Sequence, residues 1–416
     1  MSSGFDVVIG NPPWGADIDN YTKYFEKHYP NSTKSHKDSF KLFMEKGYNI
    51  LKDKGCFGLI IPSAFMLQPR YIDVRRFLRD NTTILKLWNV GDGVFGINVN
   101  APCAIFTALK EKYNINHQVL FLDTMSLKGN EQRIDAIAAP VYRTINQENY
   151  NKTVEETFVS FYRELKENEV LLENILDCKD CGIKQQRVGV GMMEKGKSDL
   201  TERLFYEGKK ENSNDILYLI GADLDKNGWL INKSNLRYFR ANYKKILKKN
   251  EIVYFNEDVF TLDEKIVWRQ TSDRIRASIL DKYWFANTLQ AGILKDNKYN
   301  LKYVLALLNS KYLNYIYMET VREGGRVFPQ VKMGKVRALP FRCIDFSIKV
   351  EKDKHDHLVS LVEKMLEFKK NEAEEPNEQR KTVISRAIDA LDREIDKAVY
   401  ELYGLTEEEI KIVEGG

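Results

Sequence analysis

Apolar residues fall in two alternating rhythms over the first hundred positions. Residues 5–9 form a short apolar run closed by Gly10, the signature of a strand buried in a sheet. Residues 39–51 then place Phe40, Phe43, Met44, Tyr48 and Leu51 at helical spacing, and Lys54-Gly55 supplies a stop. Residues 56–61 make a second buried strand, closed by Pro62. The pattern continues as helix over 74–78 and as strand over 84–90 and 104–109. This alternation predicts an α/β fold, a partial doubly wound, Rossmann-like sheet.

Beyond residue 112 the rhythm changes. Residues 113–171 are mixed and read as a connector. Residues 172–348 interleave aromatic and basic side chains with short strand-like runs at 216–220, 251–255 and 265–268, and a strongly periodic helix over 301–317 interrupts them. They predict an α+β domain. Residues 349–416 carry two long helical patterns around a charged loop at 371–379. Leu358, Leu361, Val362, Met365 and Leu366 line one apolar face, and Ile384, Ile388, Leu391, Ile395 and Val399 the other, which predicts an antiparallel helical hairpin.

Composition excludes several classes. With 43 % apolar and 30 % charged residues, the chain has globular composition. No apolar run is long enough for a membrane span, and residues 1–14 lack the basic and apolar regions of a secretory signal. Five cysteines suit free thiols in a reducing cytoplasm. Cys178 and Cys181 form a lone CxxC with no second ligand pair, and the five histidines show no ligand or triad spacing, so no metal site is expected.

The net charge of +4 hides an uneven spread. Residues 232–342 hold 22 Lys and Arg against 10 Asp and Glu, whereas residues 351–416 hold 11 basic and 18 acidic side chains. A basic block next to an acidic tail points to a phosphate-binding segment.

The most specific string is Asn11-Pro12-Pro13-Trp14, directly after the first strand. Two prolines stiffen the backbone and remove N–H donors, while the Pro12 carbonyl and the Asn11 side-chain carbonyl remain as acceptors. Two fixed acceptors suit an amino group with two hydrogens to donate. Trp14 offers a flat face on which a base can stack.

This string resembles the catalytic motif of DNA amino-methyltransferases, in the Asn form typical of those acting on the N6 amine of adenine, with Trp in the usual Tyr place. The order downstream is similar to the TaqI-like (gamma) branch. Asp38 to Phe43 resembles the helix whose aromatic residue lies against the cofactor. Gly55 to Ser63, Val90 to Phe95 and Ala101 to Leu109 resemble its next strand, its "G-x-V-F" turn and its final hairpin strand. Further on, Ile220 to Leu224 with Gly228-Trp229, Leu305 to Ser310, and Gly324 to Val331 followed by Leu339-Pro340 resemble landmarks of the family's target-recognition region.

The resemblance implies a site-specific N6-adenine methyltransferase of restriction-modification type, with S-adenosylmethionine as cofactor and double-stranded DNA as partner. By match, Asn11, Pro12, Pro13 and Trp14 are catalytic, Trp14 and Phe95 hold the flipped base from two sides, and Phe43 and Asn11 face the cofactor. It also implies domains at 1–112 (C-terminal half of a methyltransferase domain), 172–348 (target recognition) and 349–416 (helical hairpin).

The family's cofactor block, a strand and Gly-containing turn, normally precedes the Asn-Pro-Pro motif. Only four residues precede the first strand here, so the expectation is a cofactor site that is incomplete in this chain. Its completion would come from a missing N-terminal half or a partner subunit. The chain alone is then expected to bind cofactor weakly or not at all.

Within the basic segment, Lys244, Lys245, Arg269, Thr271, Arg274 and Arg276 mix residue types that hold phosphates with types that read base edges. Arg326, Pro329, Gln330 and Lys332 follow a Gly-Gly pair, and by resemblance this loop enters the DNA near the flipped base. Two other readings are a non-catalytic DNA-recognition module serving a separate cofactor or nuclease subunit, and a protein or RNA amino-methyltransferase. A cytoplasmic bacterial or archaeal protein is expected.

Overall fold

A computed structural model of the chain describes residues 4–96, 99, 101–125, 127, 129–153, 156–158, 163–187, 199–321 and 330–415. The chain divides into two units, Met1–Glu164 with Glu319–Val327, and Leu165–Met318 with Phe328–Gly416.

The first unit runs β1 (Phe5–Gly10), α1 (Thr22–His28), α2 (Ser39–Ile50), β2 (Leu51–Pro62), α3 (Ala64–Leu67), α4 (Ile72–Asn81), β3 (Thr83–Gly91), β4 (Cys103–Leu109), β5 (Gln118–Asp123), α5 (Asn130–Ala138) and β6 (Arg143–Asn146). All six strands join one mixed, Rossmann-like sheet in the order β1-β2-β4-β3-β5-β6. The pairs β1/β2 and β3/β5 are parallel, and β4 runs antiparallel between β2 and β3. Residues 113–146 thus contribute two further strands. Phe40 and Met44 of α2, Val74 and Leu78 of α4, and Phe57, Ile61, Ile84 and Phe106 of the sheet share one buried apolar cluster. This explains the rhythms of α2, α4 and the inner strands, which turn most of their apolar positions to that layer. The run at 5–9 is a strand but not the buried one expected: β1 lies at the sheet edge with only β2 beside it, and its Phe5, Val7 and Ile9 are exposed.

Polar groups are also buried in this unit. The Lys41 ammonium on α2 meets the Asp73 carboxylate on α4 at 2.8 Å, with both side chains sealed from solvent. Burial lowers the Lys41 pKa, and Asp73 opposes that shift. Arg75, fully buried, donates to the carbonyls of Phe65, Gln68 and Glu156, which fastens the segment after β6 to α4.

From residue 165 onward the strands are β7 (Glu169–Leu171), β8 (Leu176–Lys179), β9 (Lys184–Arg187), β10 (Phe205–Glu207), β11 (Ile216–Leu219), β12 (Arg237–Phe239), β13 (Glu251–Tyr254), β14 (Lys265–Arg269), β15 (Ala277–Leu280), β16 (Trp284–Phe285), β17 (Leu289–Leu294) and β18 (Pro340–Arg342). The helices are α6 (Asp199–Leu204), α7 (Tyr243–Ile246), α8 (Glu257–Phe260), α9 (Leu301–Asn309), α10 (Lys311–Val321), α11 (Met333–Arg337), α12 (Lys349–Glu374), α13 (Glu378–Tyr403) and α14 (Glu407–Glu414). Two four-stranded sheets, β10-β12-β11-β16 and β15-β14-β17-β8, form the centre of an α+β unit, and aromatic side chains such as Phe239, Phe260 and Phe285 fill the core they share.

The helical hairpin is present as α12 and α13. Leu358, Leu361, Val362 and Met365 are buried on one helix, and Ile388, Leu391, Ile395 and Val399 on the other. Asn377 caps α13 by accepting the N–H groups of Gln379 and Arg380. The single helix expected over 301–317 is two helices. Ser310 takes an extended conformation between them, its hydroxyl donating to the Leu307 carbonyl and accepting from the Leu313 N–H. A serine that satisfies backbone groups locally ends one helix and starts the next, which apolar periodicity does not register. All five cysteines are free, with Cys178 and Cys181 buried. Among the described residues no helix is long and apolar enough to cross a membrane.

Candidate active site and nucleic-acid interface

The Asn-Pro-Pro-Trp string leaves the end of β1 as a coil that is tied back to the start of α2. The Ser39 hydroxyl donates to the Pro13 carbonyl at 2.7 Å and accepts from the Ala16 N–H at 3.2 Å. The Asp38 carboxylate accepts the Gly15 N–H at 3.0 Å. Gly15 sits at φ +63°, a left-handed conformation that glycine adopts without steric cost, so the chain can turn sharply after Trp14. Pro12 is buried while Asn11 is exposed. Among the described residues no donor reaches the Asn11 amide or the Pro12 carbonyl. The two acceptors picked out in the sequence are therefore free, whereas the Pro13 carbonyl is occupied.

Trp14 packs partly into the sheet-side core, and its buried indole N–H has no partner among the described residues. Its ring meets Phe95 edge to face, with centroids 5.4 Å apart and planes at 83°. The structure thus brings together the two aromatic residues expected at the target base. A planar group stacked on Trp14 would present its edge to the perpendicular Phe95 ring. Phe43 stands on α2 with 49 % of its surface exposed, a free aromatic face on the helix that anchors the loop. Asp38 and Ser39 were not legible as loop anchors. The only sequence signal is a polar pair at a helix start, which ordinarily reads as a cap, and here Asp38 makes no side-chain capping bond to its own helix.

In the second unit the basic residues divide by what they already bind. Lys244 and Lys245 are exposed on α7. Thr271 pairs with Gln330 across an isolated bridge, and the Val331 N–H donates to the Gln270 carbonyl at 2.7 Å, so these two stretches form one surface. Arg274 is exposed beside them. Lys332 follows, its backbone N–H held by the Tyr317 hydroxyl at 2.9 Å. Two arginines are engaged inside the protein. Arg276 donates to Asp273 at 2.5 Å and to the Ser272 hydroxyl at 2.6 Å, while Arg269 donates to the Leu224 carbonyl and is held below its ordinary pKa, chiefly by burial. Arg326 and Pro329 lie outside the described residues.

Two stretches of the chain match known families. The family described as Eco57I restriction-modification methylase matches residues 1–95, and the TaqI-like C-terminal specificity domain matches residues 216–341. The chain is 24 % identical to the Type II methyltransferase M.HincII of Haemophilus influenzae, over 88 % of this chain and 79 % of that protein. It is 23 % identical to the Type II methyltransferase M.HindII of another Haemophilus influenzae strain, over 88 % and 80 %. The solved structure of the Type IIL restriction-modification enzyme MmeI, in complex with DNA, shares the fold with a TM-score of 0.53 at 11 % identity, over 96 % of this chain. This chain spans 54 % of that enzyme's length. The matches support a restriction-modification methyltransferase with a target-recognition domain.

Proposed function

We propose that the chain carries the catalytic loop and the DNA-reading unit of a site-specific DNA adenine-N6 methyltransferase. The observation that carries this reading is the pair of acceptors without a partner among the described residues, the Asn11 amide and the Pro12 carbonyl, in the string that ends on Trp14. Adenine N6 is a weak nucleophile because its lone pair is delocalised into the ring. Two acceptors that hold both N6 hydrogens favour a more tetrahedral nitrogen with an available lone pair. This is positioning plus electrostatic stabilisation, with no covalent enzyme intermediate.

The base leaves the duplex to reach the loop, and stacking on Trp14 with edge contact to Phe95 offsets an unstacking cost of a few kcal/mol. S-adenosylmethionine, when bound, supplies an electrophilic methyl group. The exposed Phe43 ring suits the flat purine of that cofactor, and Phe43 and Asn11 are the residues that would hold it. In the second unit, Lys244, Lys245 and Lys332 would hold phosphates, and Thr271, Arg274 and Gln330 would face the bases. Arg269 and Arg276 would act as supports, since both are engaged inside the unit.

The test is chemical identification of the product. The full-length coding sequence is expressed in a host devoid of DNA methylation, and the DNA is digested to nucleosides for mass spectrometry. N6-methyladenine is the expected product. A methylated cytosine overturns the reading, and duplex binding without any methylated base favours a recognition module instead.

A further inference from the structure

We propose that Ser39 and Asp38 are positioning residues that hold the Pro13–Ala16 backbone against the start of α2 and so fix the Pro12 carbonyl and the Trp14 ring for the incoming base. The inference rests on the methyltransferase reading of the loop.

Two prolines restrict the φ angles of the loop, but they leave ψ free and remove the N–H groups that would otherwise anchor it. Something else must choose among the remaining conformations, and three hydrogen bonds from one helix start do so. Ser39 bonds both sides of Trp14, donating to Pro13 and accepting from Ala16, at 2.7 and 3.2 Å. Its side chain is buried, so its end of both bonds is shielded from water. Asp38 adds the Gly15 N–H at 3.0 Å.

Asp38 is held in turn. The Tyr71 hydroxyl donates to its other oxygen at 3.2 Å, and the Tyr71 ring is buried against Phe40 with centroids 5.2 Å apart. The anchor therefore runs from the apolar core through Tyr71 and Asp38 to Gly15. Because Ser39 occupies the Pro13 carbonyl, the Asn11 amide and the Pro12 carbonyl are the acceptors of the string left without a partner among the described residues, a pair that suits a ligand with two hydrogens on one nitrogen. A misplacement of about 1 Å in such a site costs on the order of 100-fold in rate.

The test compares Ser39→Ala, Asp38→Ala and the conservative Asp38→Asn, which keeps an acceptor for Gly15. In the full-length enzyme, Ser39→Ala and Asp38→Ala are expected to lower kcat for methyl transfer by about 10- to 100-fold, with KM for DNA unchanged within about twofold. Asp38→Asn is expected to recover most of the rate. Equal kcat for wild type and Ser39→Ala overturns the proposal, as does a loss confined to KM.

A second readout separates this result from failure of the methyltransferase reading. In the 15N-labelled chain, the Trp14 indole resonance, identified by its disappearance in Trp14→Phe, is expected to shift and exchange faster in Ser39→Ala but to stay in place in Asp38→Asn. That change in a protein without methyl transfer keeps the anchor and discards the reaction. An unmoved Trp14 signal in Ser39→Ala discards the anchor.

Discussion

The rings of Trp14 and Phe95 meet edge to face at 5.4 Å although 81 positions separate them, one following β1 and the other following β3. If they hold the extrahelical base, they contribute unequally. Base stacking on an aromatic ring is worth about 1–3 kcal/mol, so Trp14→Ala should lower kcat/KM by roughly 5- to 150-fold. Phe95→Ala removes only an edge contact of about 0.5–1.5 kcal/mol and should cost roughly 2- to 10-fold. Steady-state kinetics on one duplex checks the order of the two effects.

Duplex binding should be strongly salt-dependent. Each phosphate neutralised contributes about −0.9 to the slope of log K against log salt. Lys244 and Lys245 are exposed on α7, so replacing both with alanine should make the slope less steep by up to about 2. Fluorescence anisotropy across a salt series measures it. An unchanged slope removes α7 from the interface.

The sealed Lys41–Asp73 pair predicts a stability effect in the helix that anchors the loop. Asp73→Ala leaves the Lys41 ammonium buried without its counter-charge, and breaking such a pair costs on the order of 3–5 kcal/mol. Chemical denaturation of the chain should show the lower midpoint.

A pH-dependent term resides in the hairpin. Burial, aided by the neighbouring Asp392 carboxylate, raises the Asp396 pKa from 3.8 to about 6, even though Asp396 accepts the Lys311 N–H at 2.8 Å. The folded state therefore holds a proton between pH 4 and 6 that the unfolded state has released. This term favours folding less as pH rises through that window, and above pH 6 the charged form carries a penalty on the order of 2–3 kcal/mol. Asp396→Asn keeps an acceptor for Lys311 and removes the penalty. It should be more stable than wild type at pH 7, with the gain vanishing below about pH 4. Parallel denaturation curves at the two pH values decide it.

Local rules account for much of what the sequence conveys. The apolar run closed by Pro62 is β2, and the periodic faces at 358–365 and 388–399 are the two arms of the hairpin, because burial of one face leaves a regular imprint; the run closed by Gly10 is a strand too, but an exposed edge strand rather than a buried one. The Asn-Pro-Pro-Trp string is legible for another reason: two prolines restrict φ and remove N–H donors wherever they occur. What escaped was set by tertiary hydrogen bonds. Ser310 splits a helix through bonds to its own neighbours, and Ser39 bonds a carbonyl 26 residues away. Arg269 and Arg276 look like base readers in the sequence, yet their guanidinium groups find Leu224 and Asp273 within the unit. A basic side chain in a string carries no mark of which partner it meets first.

The most direct test of the account is the single-turnover rate of methyl transfer by the full-length enzyme carrying Asn11→Ala, measured beside its duplex affinity. If Asn11 is one of two acceptors for the adenine amine, the rate falls by about 100-fold or more while the DNA Kd stays within about threefold of wild type. An unchanged rate, or a fall explained entirely by lost DNA binding, would contradict it.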